Sequence, residues 1–233
     1  KTILRVRLQD RQVIWEPFNR EHDGRFATSR NLYKNVLGNK LCFEEVNHDL
    51  ALAFRYTWAN SERHGLVRQC ELQNLAERAQ PVEFVDGLQN ILPAGTPLLL
   101  QTNSSNLVDA YKWTELDAAT GLAMYALYSR ISDRAEPAES LRANVVYGLG
   151  LDAPTVLLSS LQLNDFRLGK PVAQEDHRRG IRGAYFLRAS VVLPRHESQR
   201  WQIVADVRRT QGQVLDLIRH LADPAAAAQA VAR

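Results

Sequence analysis

Cysteine is scarce in this sequence, with two in 233 residues, Cys42 and Cys70. No CxxC pair and no Cys/His cluster is present, so the patterns that usually make a structural zinc site are missing, and no metal is expected. Two cysteines on separate predicted strands read as small buried hydrophobes in a reducing compartment, which predicts a cytoplasmic protein. There is no run of about 18 or more apolar residues of the kind that forms a membrane-spanning helix, and no signal peptide. Glycine-rich phosphate loops and dinucleotide fingerprints are absent, so no cofactor is expected. Ser104-Ser105 and Ser159-Ser160 lack the glycine elbow of an activated serine.

Charge of one sign is also in short supply. The 29 Lys and Arg against 26 Asp and Glu leave a net charge of +3. The basic residues are dispersed: Arg30, Lys34 and Lys40 stand in mixed sequence, and the densest pairs are Arg178-Arg179 and Arg208-Arg209. A nucleic-acid partner would call for a concentrated stripe, so none is expected. What remains is an ordinary globular composition, 45% hydrophobic and 24% charged, long enough for a substantial core.

The dominant period is two, which predicts an all-β, mainly antiparallel chain. In Leu50–Trp58 the residues Leu50, Leu52, Phe54, Tyr56 and Trp58 fall on one face of a strand, whereas a helix would scatter them. Each such side chain contributes about 1.5–3 kcal/mol when buried. A turn at 60–65 returns the chain into Leu66–Leu72, with Leu66, Cys70 and Leu72 on the core side and Gln69, Glu71 and Gln73 outside. Pro81–Val85 continues the core through Val82 and Phe84, and 86–95, punctuated by Gly87, Pro93 and Gly95, reads as a connection. Residues 96–109 read as a short helix or a long loop. Strands are expected at 110–116 and 122–131, joined by a hairpin turn, then at 144–147 and 155–159. Residues 133–140 form a polar loop, and 172–182 a charged one. A last hairpin pairs 184–193 with 200–207.

After Val207 the period changes. Val214, Leu215, Leu217, Ile218 and Leu221 recur at helical spacing behind Thr210, an N-cap residue, and the alanine-rich tract from Ala225 is helix-prone but shows no core-facing pattern of its own. The fold expected is a β-sandwich or supersandwich over 1–208, with a helical linker over 209–233 leading to a further domain. The first residues, Lys1–Leu8, already alternate as a strand, which suggests a domain cut from a longer polypeptide.

Two groups of residues could bear on chemistry. Glu44-Glu45-Val46-Asn47-His48-Asp49 is the densest polar cluster, and a Glu and a His within reach could act as acid and base. Period two puts Glu44 and Glu45 on opposite faces, and an Asx-type turn at Asn47 or Asp49 explains the same residues structurally. Trp15, Tyr33, Trp58 and Trp113 could stack on sugar rings, with Tyr111 and Trp113 sharing a strand face and Tyr125 beside them. The candidate carbohydrate-binding residues are therefore Glu45, Asn47, His48, Asp49, Tyr111 and Trp113. Asp86, Asp109 and Asp133 lie at expected strand ends or loops and show no glycosidase spacing. Arg178-Arg179 could hold a carboxylate or phosphate. No catalytic residue is assigned.

The runs Leu32–Leu50 and Phe84–Pro93 resemble the N-terminal β-sandwich domains of bacterial carbohydrate-active enzymes of the cellobiose-phosphorylase and glucoamylase-like type. The later order, a long strand, a proline turn, a strand ending at Val207 and a helix, is similar too. The resemblance implies a galactose-mutarotase-like supersandwich followed by a helical linker and an (α/α)6 catalytic barrel. The sandwich would pack on that barrel, shape the entrance to its active site and support a homodimer, with carbohydrate as the ligand and no catalytic residue in this chain. Two alternatives stand beside it. One is a self-contained mutarotase-like epimerase using His48 or His64 with Glu45, and the other is a carbohydrate-binding module using Tyr111 and Trp113.

Overall fold

Strands with one apolar face must bury it, and here two sheets do so against each other. The computed structural model describes residues 1–8, 11–129 and 141–232. The N-terminal half contributes β1 (Thr2–Leu8), β2 (Arg11–Trp15), β3 (Thr28–Lys34), β4 (Lys40–Asn47), β5 (Leu52–Ser61), β6 (Gly65–Asn74) and β7 (Gln80–Ile91). Two short helices, α1 (Leu98–Asn103) and α2 (Ser105–Ala110), lead into β8 (Lys112–Asp117) and β9 (Leu122–Leu127). Then follow β10 (Arg142–Leu149), β11 (Thr155–Leu157), α3 (Leu163–Arg167), β12 (His177–Arg179), β13 (Gly183–Leu193) and β14 (Ser198–Thr210), with α4 (Gln211–Leu221) and α5 (Pro224–Ala232) last. A five-stranded sheet runs β11-β13-β7-β1-β2, and a nine-stranded sheet runs β12-β8-β9-β10-β14-β6-β5-β4-β3. The chain is a mainly antiparallel β-sandwich, as its alternation predicts.

The core between the sheets is built from the inward rows. Leu52 and Phe54 of β5 are fully buried with Leu4, Val6, Leu72, Val82 and Phe84. Phe84 of the five-stranded sheet stacks on Trp201 of the nine-stranded sheet, with ring centroids 4.6 Å apart. The β5 row fades along its length: Tyr56 and Trp58 are only half-buried, and Leu50 is buried from the turn before the strand. The β5–β6 hairpin forms as expected with Cys70 and Leu72 inside, but Leu66, beside the turn, is exposed and not part of the core. Cys42 and Cys70 are both free thiols.

Four expectations need correction. Residues 86–91 are not a connection: β7 runs straight through Asp86-Gly87 and pairs with β1 and β13. The segments 184–193 and 200–207 are not a hairpin. β13 pairs with β7 and β11 in one sheet, while β14 pairs with β10 and β6 in the other. Two amphipathic strands can satisfy their pattern by facing each other across a core as well as by pairing edge to edge. Tyr111 ends α2 and is not on the strand with Trp113, which begins at Lys112. The charged segment 172–182 holds the short strand β12, which pairs with β8. Of the two alternatives for 96–109, the helical one is observed, and the second strand of the hairpin at 117–121 ends at Leu127. The polar loop at 133–140, with Asp133, lies outside the described residues.

The outer faces are partly covered as well. α4 and α5 lie on the nine-stranded sheet, where Val214, Leu221, Ala227 and Val231 pack with Val67, Val145, Tyr147, Leu149 and Val204. The alanine-rich tract thus has a core-facing side, made of Ala227 and Val231. α3 covers the other sheet through Leu163 and Phe166, against Ile3, Val85, Leu157 and Phe186. α4 starts with a capping box: the Thr210 hydroxyl accepts from the Gln213 amide, and the Gln213 side chain accepts from the Thr210 amide at 3.0 Å. Thr210→Ala should lower stability by about 1 kcal/mol, read as a shift of the urea midpoint at constant slope.

Candidate functional site

The densest polar cluster of the sequence is divided by the fold. Glu44 faces outward and Glu45 inward, as alternation on β4 requires. Glu45, 2% exposed, accepts from Trp15 Nε1 at 2.9 Å, from the Phe18 amide at 2.7 Å and from Arg30 Nε at 2.6 Å. Phe18 has φ +62°, and its bond to Glu45 holds that left-handed backbone in place. Asn47 is buried and accepts from the Leu50 amide at 3.0 Å, closing the turn into β5. Asp49 accepts from the Ala27 amide at 2.8 Å, and exposed His48 sits 3.1 Å from Ser29 Oγ. Each of the four is engaged locally. His64, in the β5–β6 turn, lies instead beside Arg63 and His220 in a separate depression.

The aromatic residues are dispersed too. Trp15 is buried, and Tyr125 is buried with its hydroxyl donating to the Ala184 carbonyl. Tyr33 donates its hydroxyl to Glu44. Trp113 stacks on Tyr128 with centroids 5.9 Å apart, meets His177 edge-on at 4.7 Å and carries the Arg179 guanidinium 3.6 Å above its ring. Arg179 is therefore occupied by Trp113, and Arg178 pairs with Glu175 at 2.9 Å. The Tyr111 carbonyl accepts the Tyr128 amide at 2.7 Å. Two aromatic side chains stay open among the described residues: Tyr33, 51% exposed, and Tyr128, 74% exposed, the second of which sequence reasoning missed.

The most site-like feature is the part of the nine-stranded sheet that α4 and α5 leave open. Outward side chains from five neighbouring strands form one charged row. Arg200 of β14 donates to Glu71 of β6 at 2.9 Å, and Arg55 of β5 reaches Glu71 at 3.3 Å and Gln73 at 2.9 Å. Arg55 also donates to Glu44 of β4, which accepts in addition from Asn31 at 2.9 Å and Tyr33 at 3.0 Å, both on β3. Where this row meets α5 there is a cleft of about 450 Å³ lined by Cys42, Arg55, Thr57, Gln69, Glu71 and Gln202, with Leu149 and Ala228 as its apolar wall. The exposed lining is mostly apolar, with the planar polar groups along it, a combination that suits the C–H face and neighbouring hydroxyls of a sugar. The sequence signal was there as alternate polar residues on each strand, but only register brings them into one row.

Acid chemistry is another matter. Burial would raise the Glu44 carboxyl, but its bonds to Arg55, Asn31 and Tyr33 outweigh burial and hold it below the usual carboxylate range. Glu71 is lowered in the same way by Arg200 and Arg55 against burial. Glu16, 3% exposed, is desolvated yet held at about 2 by Arg167 and the Lys1 side chain. Glu175 is desolvated and still lowered by Arg178, Gln162 and Ser159. Asp86 is fully buried at the centre of β7, and Arg68 of the opposite sheet, 2.6 Å away, outweighs that burial and lowers its carboxyl. A glycosidase acid needs the opposite shift. Among the described residues, no group of three His, Cys, Asp or Glu is placed to hold a metal ion, and no helix is long and apolar enough to cross a membrane. No family model matches this chain, and no curated protein matches it in sequence.

Proposed function

We propose that this chain is a non-catalytic sandwich domain of a larger cytoplasmic glycoside hydrolase or disaccharide phosphorylase. In this reading it packs on a downstream (α/α)6 barrel and shapes the entrance to that barrel's active site. The observation that carries the reading is the state of the carboxylates. Glu16, Glu44, Glu71, Asp86 and Glu175 are all pushed toward the ionised form by arginines or other hydrogen-bond donors, so none of these five is kept protonated to donate to a glycosidic oxygen. The open, mostly apolar cleft beside α5 carries Arg55, Gln69, Glu71 and Gln202 as hydrogen-bonding groups for sugar hydroxyls. A second reading, a carbohydrate-binding module, is favoured by exposed Tyr128 stacked on Trp113.

The test is the coding frame together with an assay. The frame is expected to continue well past Arg233 into a helical domain. This chain alone should release neither sugar nor sugar phosphate from disaccharides, whereas the longer product should. A stop codon directly after Arg233, or turnover by this chain alone, overturns the reading. Retained glycan binding by this chain that is lost in Tyr128→Ala would favour the binding module instead.

A further inference from the structure

We infer that the outer face of the five-stranded sheet carries a binding site for a small oxyanion, a phosphate or carboxylate group on a compact organic molecule. Period two sends Arg5 and Arg7 of β1 outward together, and register sets Arg5 against Glu83 of β7 and Arg7 against Gln12 of β2. Arg11 joins them from the start of β2. Together with Ser190 and Val192 of β13, these side chains line a depression of about 480 Å³, the size of a small-ligand site.

Its charge is unbalanced. Three arginines face one carboxylate, and that carboxylate is already shared: Glu83 pairs with Arg5 at 2.5 Å and with Arg188, whose Nε lies 2.7 Å away. Arg7 and Arg11 have no ion-pair partner among the described residues, while Asp10, in the connection between β1 and β2, lies outside them. Acceptors are short even at the floor. Arg5 is 7% exposed and packs 4.1 Å over the Phe166 ring, yet its Nε has no hydrogen-bond partner among the described residues. A buried guanidinium held between an aromatic ring and a carboxylate is a fixed donor, and Arg7 and Arg11 at the rim, unpaired among the described residues, can close on an anion from outside. Pro81 and Val192, the latter 68% exposed, form an apolar shoulder beside the charge. A ligand with one anionic group and a compact carbon body fits that combination. A polymeric anion would need a basic stripe extending beyond the depression. The site lies on the opposite sheet from the cleft beside α5, so it neither depends on the function proposed above nor supports it.

Calorimetric titration at fixed ionic strength tests it, with inorganic phosphate, a hexose phosphate, citrate and the free hexose as probes. The three anions are expected to bind saturably and the free hexose not at all. Arg7→Gln/Arg11→Gln should weaken the anions at least about tenfold, the loss expected for charge-assisted bonds, with little change in melting temperature because both side chains are at the surface. Absence of saturable anion binding overturns the inference. So does binding that the double variant leaves intact, which would place the anion elsewhere.

Discussion

Gly87→Ala is expected to cost this protein most or all of its folded state. Gly87 sits in mid-strand opposite Phe186, and its backbone has no positive φ, so it is not a turn glycine. It is needed for close approach. A Cβ at this position would lie 1.9 Å from the Tyr185 carbonyl oxygen and 2.7 Å from the Phe186 Cα. Both are backbone atoms of the neighbouring strand, so relief requires β7 and β13 to separate. That pair is the spine of the five-stranded sheet, running without a break from Ala184 opposite Gln89 to Leu193 opposite Gln80. Opening it would also pull Phe84 away from Trp201. The expected loss exceeds about 4 kcal/mol, read as insoluble protein or, in any soluble fraction, loss of the near-ultraviolet circular dichroism of the packed aromatics. Gly212→Ala is the internal control. It lies in the first turn of α4 with nothing within 4 Å of an added Cβ, and should stabilise by about 0.5–1 kcal/mol. A soluble Gly87→Ala protein with an unchanged urea midpoint would show that the strands do not approach as described.

Gly87 also shows where the sequence stops being readable. β5 and β6 carry an alternating row of large apolar side chains toward the core, so Leu52, Phe54, Cys70 and Leu72 announce both strands and their pairing. The start of α4 is equally plain, since Thr210 and Gln213 are local neighbours whose chemistry needs no tertiary contact. Asp86-Gly87 looks like a turn because both residues favour turns. The partners that make them strand residues, Arg68, Trp201 and Phe186, come from 18 to 115 positions away. β13 hides in another way. Ala184, Tyr185, Phe186 and Leu187 are all buried, because α3 and its surroundings cover the outer face, so the run gives no alternation from which to choose a sheet. β3 is exposed at every position, Leu32 and Tyr33 included, so it shows no buried face from which to read it. The candidate sites follow the same logic. Glu44 and Glu45 are adjacent in sequence and on opposite faces in space, while Arg200, Glu71, Arg55 and Glu44 are far apart in sequence and form one row. Local clustering misleads wherever the period is two, and only strand order recovers the true neighbours.

Asp86→Asn should be the costliest change that leaves the backbone space untouched. The Asp86 carboxylate is fully buried and accepts from Arg68 at 2.6 Å, from Trp201 Nε1 at 2.8 Å and from Thr2 at 2.6 Å. Arg68 and Trp201 belong to the nine-stranded sheet, so one side chain of β7 ties the two layers together. Asparagine keeps the shape but removes the charge. It leaves the Arg68 guanidinium, 4% exposed, buried without a counter-ion, at a cost of about 3–5 kcal/mol. The cost belongs to the stranded charge, so Arg68→Met combined with Asp86→Asn should recover part of it, and a double-mutant cycle should give a coupling above about 1 kcal/mol. The pH dependence follows from the same pair. Burial favours the protonated acid, but Arg68 outweighs it and holds Asp86 below its ordinary value of 3.8. The unfolded chain therefore takes up this proton first. The stabilisation from Asp86 is complete above about 3.8 and is lost as pH falls through the lower folded value. Glu16, lowered from 4.5 to about 2, loses its contribution over that interval in both proteins. Wild type should thus fall more steeply with acid than Asp86→Asn, and the gap between them should narrow below pH 3.8 while remaining nearly constant above it. Equal stabilities near neutral pH, or parallel acid curves, would mean that Asp86 does not carry a negative charge in the core.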